Sequence, residues 1–262
     1  MSKKYVRFRS ASIPDAAYGI FERDRIVGLT GAPWHGGTPT RESHARDSVK
    51  LLAPVEPTKV VCVGLNYHAH VAASQSADKA PEYPLIFLKP SSSIISPDES
   101  IVHPRESERV DYEAELGVVI GRTASHVSKE TALEFVFGFT CANDVTARDL
   151  QKKDNQWTRA KGFDTFCPVG PWIETELSPA DLLVEAVHNG QVTQTGRTSQ
   201  MIFNIPFLVS WISGVMTLNP GDLICTGTPS GIQPMKPGDT IEVRIEGIGS
   251  LCNKMVAAEP RA

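Results

Sequence analysis

No run of 18 apolar residues occurs in the 262-residue chain. The richest stretch, residues 201–216, is broken by Asn204, Pro206, Ser210 and Ser213, which excludes a membrane-spanning helix. The first nine residues, Met1 to Arg9, lack the apolar core of an export signal, so a cytoplasmic location is expected. No basic excess exists either: 26 Lys and Arg stand against 30 Asp and Glu, a net charge of −4, and neither nucleic acid nor a membrane is expected as partner. The five cysteines (Cys62, Cys141, Cys167, Cys225, Cys252) never form a C-x-x-C pair. Zinc–thiolate chemistry is therefore unsupported, and buried reduced thiols are the expectation. Internal repeats and low-complexity tracts are also missing.

Twenty glycines and nineteen prolines without a period imply many turns, and a 41% hydrophobic fraction supplies a core. The resulting class is mostly β with short helices (α+β). Strands are predicted over residues 5–9, 18–22 and 25–29, followed by a polar, loop-like stretch over 31–50. Pro54 and Pro57 suit a stiff linker. Buried strands follow at 59–64 and 85–89. Between them, residues 66–84 are rich in Ala, Ser and charge, and read as a mobile covering segment. A continuous strand is predicted over 110–120, a helix capped by Ser128 over 129–135, a strand over 138–144 and a helical stretch over 146–153. Asn189-Gly190 is the strongest hairpin signal in the chain, between strands at 184–188 and 191–196. Asn204 caps an apolar helix over 205–213, with Pro206 tolerated in its first turn. Turns at 219–222 and 236–239 each introduce an apolar strand.

The first chemical signal is acidic. Period-two geometry puts Asp111, Glu113 and Glu115 on one strand face at steps of about 6.6 Å. Three like charges in a row need water or a cation between them, and carboxylates favour a hard ion over zinc. A solvated strand face accounts equally for the triplet. Asp144 falls where a strand gives way to a helix, and Arg148 and Gln151 share that helix's face. Capping by Asp144 with solvated neighbours is the plainer alternative. Lys161, before a glycine, reads as a site cation or a loop charge. His68 and His70 form an H-x-H pair without a third zinc ligand nearby; His70 suits a general base or an ordinary hydrogen-bonded histidine. Ser230, directly followed by Gly231, lacks the G-x-S-x-G frame of a nucleophile elbow, whereas Thr228 lies in a turn that permits close approach of a ligand.

Six segments, in order, resemble the fumarylacetoacetate hydrolase family: Gly64-Leu-Asn-Tyr-x-x-His70, Phe87-Leu-Lys-Pro90, Asp111-Tyr-Glu-x-Glu-Leu116, Asn143-Asp144-x-x-x-Arg-Asp-x-Gln151, Lys161-Gly-x-Asp-Thr165 and Thr226-Gly-Thr-Pro229. The resemblance spans residues 60–249. It implies a mixed β-roll preceded by a small N-terminal β subdomain (1–56, then a catalytic domain over 57–262) and a homodimer. It also implies a divalent metal, Mg²⁺ or Mn²⁺ with Ca²⁺ as a crystallographic substitute, on Glu113, Glu115 and Asp144. Lys161 then lies beside metal and substrate, Arg148, Gln151 and Thr228 contact the substrate, and His70 is the catalytic histidine. The implied substrates are small 2-oxo or 1,3-dicarbonyl acids. C–C hydrolysis of an acylpyruvate-like acid is the first expectation. The alternative is isomerisation, decarboxylation or tautomerisation of a dienedioate- or oxaloacetate-like acid, as in aromatic catabolism. A reading of another class is a non-catalytic oxo-acid binder. One departure bears on the choice: many relatives carry a glutamate three residues after the histidine, and this chain has Ala73, with Asp78 and Glu82 as the remaining acids of that segment.

Overall fold

A computed structural model describes residues 3–73 and 79–259. Its backbone is a large mixed sheet with two smaller ones. In spatial order the large sheet runs Pro39–Ala45, Arg25–Leu29, Ala17–Glu22, Lys4–Ser10, Cys167–Glu174, Val136–Asn143, Ala114–Ile120, Leu223–Cys225, Val60–Gly64 and Leu85–Lys89. Most neighbours are antiparallel; Leu223–Cys225 and Val60–Gly64 run parallel. A five-stranded sheet orders Gln191–Arg197, Leu183–His188, Thr240–Ile245, Gly249–Ala257 and Ser100–His103. Thr146–Ala147, Val110–Asp111 and Pro234–Met235 make a third. The mostly-β class with short helices is what the chain adopts. Buried Leu116, Val118 and Ile120 pack in one core with Val184, Val243 and the inner face of helix Ile205–Val215.

The N-terminal strands enclose a small core of Val6, Phe8, Ile26, Val49 and Leu51. They nevertheless continue the large sheet, through Lys4 opposite Glu174 and Tyr5 opposite Ile173. The hairpin forms as its signal demands, with Asn189 and Gly190 at φ of 50° and 81°. Asn204 caps its helix by accepting from the Phe207 amide at 3.1 Å.

Several expectations need correction. The loop-like stretch 31–50 contains the strand Pro39–Ala45, paired with Arg25–Leu29. As an edge strand buried on neither face it shows no apolar alternation, so the sequence gives no sign of it. The helix expected over 129–135 is only a 3₁₀ turn, Ala132–Phe135, and the Ser128 hydroxyl meets that of Thr131 instead of capping. The strand 110–120 breaks at Tyr112 and Glu113. There, side chains replace the ladder: Asn143 Oδ1 accepts from the Glu113 amide at 2.9 Å, and Gln194 Oε1 accepts from the Ala114 amide at 3.0 Å. Asp111, Glu113 and Glu115 are all buried, so no solvated acidic face exists. Four cysteines are buried thiols as expected; Cys252 is exposed. Of the segment 66–84, residues 74–78, including Asp78, lie outside the described residues. Its root is fixed: Asn66 donates to the carbonyls of Phe203 (3.1 Å) and Thr226 (2.7 Å) and accepts from the Phe203 amide.

Candidate active site

The strand Val60–Gly64 delivers the chain to the site, and Leu65 turns it with φ of 56°. A Cβ at Gly64 would lie 2.9 Å from the Trp157 ring, so only glycine lets that indole close the cavity wall. The short helix His68–Ala73 then separates its two histidines: His68 is exposed, whereas His70 is buried and faces the acidic cluster. The H-x-H pair therefore cannot share a metal. His70, Glu113, Glu115, Arg148, Gln151, Lys161 and Thr228 line one small cavity.

Beneath it, one ligand atom from each of Glu113, Glu115 and Asp144 lies within 4.8 Å of the others, and all three residues are buried. Lys161 Nζ donates to Glu113 Oε2 at 2.8 Å and to Asp144 Oδ2 at 2.6 Å. Arg148 donates to Glu113 Oε1 (2.5 Å), Asp111 Oδ2 (3.0 Å) and Gln151 Oε1 (2.6 Å). The Gly227 amide donates to Glu115 Oε2 at 2.8 Å. Gly227 adopts φ of +97°, and a Cβ there would meet Asn66 at 2.7 Å. Oxygen-only donors from three buried carboxylates fit a hard divalent cation.

The charges respond to this crowding. Burial and then repulsion from Asp144 and Glu113 push the Glu115 carboxyl well above the usual range. Burial acts on Glu113 in the same sense, but the Lys161 ammonium and Arg148 guanidinium outweigh it and hold that carboxyl low. Lys161 and Arg148 keep their protons for the converse reason: carboxylates overcome the penalty of burial, Asp144 and Glu113 for the lysine, Glu113 and Asp111 for the arginine. Burial lowers the His70 pKa; Glu113 opposes this and Arg148 and Lys161 reinforce it. The imidazole is therefore neutral near pH 7 and able to accept a proton.

All eight residues singled out in the sequence meet here. Asp111, the first acid of the triplet, belongs instead to the arginines, accepting from Arg109 Nε at 2.8 Å and from Arg148. The Thr228 hydroxyl donates to the Ala114 carbonyl and accepts from Gln194, each at 2.8 Å, which leaves it no proton for a ligand. Lys89 and Asn143 stand in the motifs quoted above without a role assigned to them, and Trp157 and Gln194 were not singled out at all. Lys89 is 1% exposed and donates to Asp144 Oδ1 at 2.5 Å. A lysine closing an apolar strand, Leu85–Lys89, was the available signal.

The chain matches the family described as "Fumarylacetoacetate (FAA) hydrolase C-terminal" over residues 59–256, and "Rv2993c-like, N-terminal" over 3–54. It is 51% identical to "Protein Rv2993c" of Mycobacterium tuberculosis, over 84% of each chain. It is 44% identical to human "Oxaloacetate tautomerase FAHD2A, mitochondrial", covering 80% of this chain and 71% of that one. Among solved structures, "5-carboxymethyl-2-hydroxymuconate delta-isomerase from Mycobacterium smegmatis" superposes with a TM-score of 0.91 at 44% identity, over 97% of this chain and all of the other.

Proposed function

The chain belongs to the fumarylacetoacetate hydrolase family, and on that premise we propose that it is a divalent-metal-dependent tautomerase or isomerase of small 2-oxo dicarboxylic acids. The observation that carries this reading is a single neutral histidine, His70, facing a cation-binding carboxylate cluster. Moving a proton between carbon and oxygen needs one base. Hydrolysis also needs a positioned water, and the carboxylates lining this cavity, Glu113 and Glu115, belong to the cation cluster. Of the described residues in the segment after His70, Ala73 offers none, and Glu82 is exposed.

Glu113, Glu115 and Asp144 would hold Mg²⁺ or Mn²⁺, and the bound ion supplies Lewis-acid polarisation of the 2-oxo group. His70 removes the proton next to that carbonyl and returns it to the product. The Lys161 ammonium stabilises negative charge as it develops on oxygen. Arg148 and Gln151, already hydrogen-bonded to each other, orient a substrate carboxylate. Electroneutrality supports the substrate class. Lys89, Arg109, Arg148 and Lys161 balance Asp111, Glu113, Glu115 and Asp144, so a divalent ion leaves a surplus that a dianion neutralises.

Purified protein should interconvert the keto and enol forms of oxaloacetate, or isomerise a hydroxydienedioate, and EDTA should abolish the activity. Faster turnover of acylpyruvates would favour C–C hydrolysis instead. Tight oxo-acid binding without turnover of any of these acids would identify a non-catalytic binder. A homodimer is part of the proposal: Tyr83 and Leu88, on and beside the edge strand Leu85–Lys89, are 62% and 46% exposed, and a second copy would cover them. Sedimentation at a monomer mass would remove that part.

A further inference from the structure

Each carboxylate of the cation cluster has one oxygen held by a donor other than Lys161. Asp144 Oδ1 receives Lys89 Nζ at 2.5 Å, Glu113 Oε1 receives Arg148 Nη2 at 2.5 Å, and Glu115 Oε2 receives the Gly227 amide at 2.8 Å. The other oxygens of these two residues, Glu113 Oε2 and Asp144 Oδ2, accept from Lys161 Nζ at 2.8 and 2.6 Å, so a cation that takes them would share them with that ammonium or displace it. We propose that this pinning makes all three carboxylates monodentate, and that Lys89 is thereby a specificity-determining residue that selects a small six-coordinate ion against Ca²⁺. The inference rests on the metal-dependent reading above and deepens it.

The physical reason lies in ion size. Ca²⁺ takes six to eight oxygens at about 2.3–2.6 Å and commonly gains them from bidentate carboxylates. Mg²⁺ demands octahedral geometry at about 2.0–2.1 Å, keeps several waters, and is satisfied by single oxygens. A carboxylate that gives the ion one oxygen rotates to chelate through both only if the second is not held by another donor; for Asp144 that donor is Lys89, on the oxygen that Lys161 does not touch. Lys89 holds Asp144 firmly: its side chain is wholly buried, and its ammonium also donates to the Val145 carbonyl at 3.0 Å. That second bond anchors Lys89 to the backbone of the residue after Asp144, so the two cannot swing together. Its own strand is held too, with Lys89 opposite Val60 in the sheet. Of the three pins, Lys89 is the one that can be removed without touching the cavity lining, of which Arg148 is part, or the backbone at Gly227.

The test compares ions in calorimetric titrations of the full chain and of Lys89→Met and Lys89→Gln. The wild type should bind Mg²⁺ and Mn²⁺ in preference to Ca²⁺. Lys89→Met should raise the ratio of Ca²⁺ to Mg²⁺ affinity by at least about tenfold, because Asp144 becomes free to chelate, while Lys89→Gln, which keeps a donor, should retain most of the preference. A ratio unchanged in Lys89→Met, even with lowered melting temperature, would reduce Lys89 to a structural role and overturn the inference. A second measurement needs no variant. Mn²⁺ bound to the wild type should carry three water oxygens, counted by electron–nuclear spectroscopy in ¹⁷O-water, because three monodentate carboxylates leave three octahedral positions. Fewer waters would overturn it. Failure of every divalent ion to bind would instead remove the metal-dependent reading itself, so the two failures are distinguishable.

Discussion

Arg148 and Glu113, 35 positions apart, meet at 2.5 Å inside the protein, and Asp111 grips the same guanidinium from behind at 3.0 Å. Two acids of one short segment thus orient one arginine, whose remaining amino group holds Gln151. Arg148→Met removes one of the two cationic partners of each carboxylate, leaving Asp111 to Arg109 and Glu113 to Lys161. A loss below the roughly 3–5 kcal/mol that follows when a buried charge keeps no partner is expected in urea denaturation. An unchanged midpoint would show that the pair is not part of the folded protein's stability.

Glu115 carries the opposite electrostatics. Its carboxyl titrates well above the ordinary value of 4.5 in the metal-free fold, so the folded state holds a proton that the unfolded chain has released. Metal-free stability therefore falls as pH rises from the ordinary carboxylate range toward the raised one. Saturating Mg²⁺, which replaces that proton, should abolish the slope. Glu115→Gln should also flatten it, while weakening divalent-ion affinity by at least about 100-fold, more than the loss of an outer partner costs. Denaturation series at several pH values, with and without Mg²⁺, read both effects. A slope persisting in the variant would place its source elsewhere.

His70 has its pKa held below the histidine value of 6.5 by burial, with Arg148 and Lys161 assisting against Glu113. It is neutral through pH 7, and protonation abolishes its action as a base. The acidic limb of a kcat/KM profile should therefore fall below 6.5. His70→Gln should reduce turnover by about 10²–10⁴-fold while leaving Mg²⁺ affinity within a few-fold of wild type. A profile whose acidic limb lies above 6.5 would assign it to another group.

Ala73 stands three positions after His70, where the family resemblance implies a glutamate. Ala73→Glu should create or increase acylpyruvate hydrolysis without raising oxaloacetate tautomerisation, since only hydrolysis consumes a positioned water. Equal gains in both reactions would mean that the glutamate does something other than position water.

What the sequence determined by itself is much of what depends on local geometry, the Ser128 cap excepted. The Asn189-Gly190 turn, the Asn204 cap and the strand end that delivers Asp144 are set by φ preferences and neighbouring hydrogen bonds, and they formed as read, whereas His70 sits on a short helix after its strand. The identities of Glu113, Glu115, Asp144, Arg148, Lys161 and His70 as a group were legible because six motifs share an order along the chain. Period-two spacing, however, predicted a common face for Asp111, Glu113 and Glu115. Tertiary structure broke that strand, because side chains 30 and 80 positions away, Asn143 and Gln194, took over its amides. The edge strand Pro39–Ala45 was invisible for a related reason: a strand held by its neighbour's backbone needs no apolar pattern. Most of all, which donor meets each carboxylate oxygen was decided only by folding. Lys89 and Asp144 lie 55 positions apart, and their contact arises from the packing of separate strands, which local spacing does not specify.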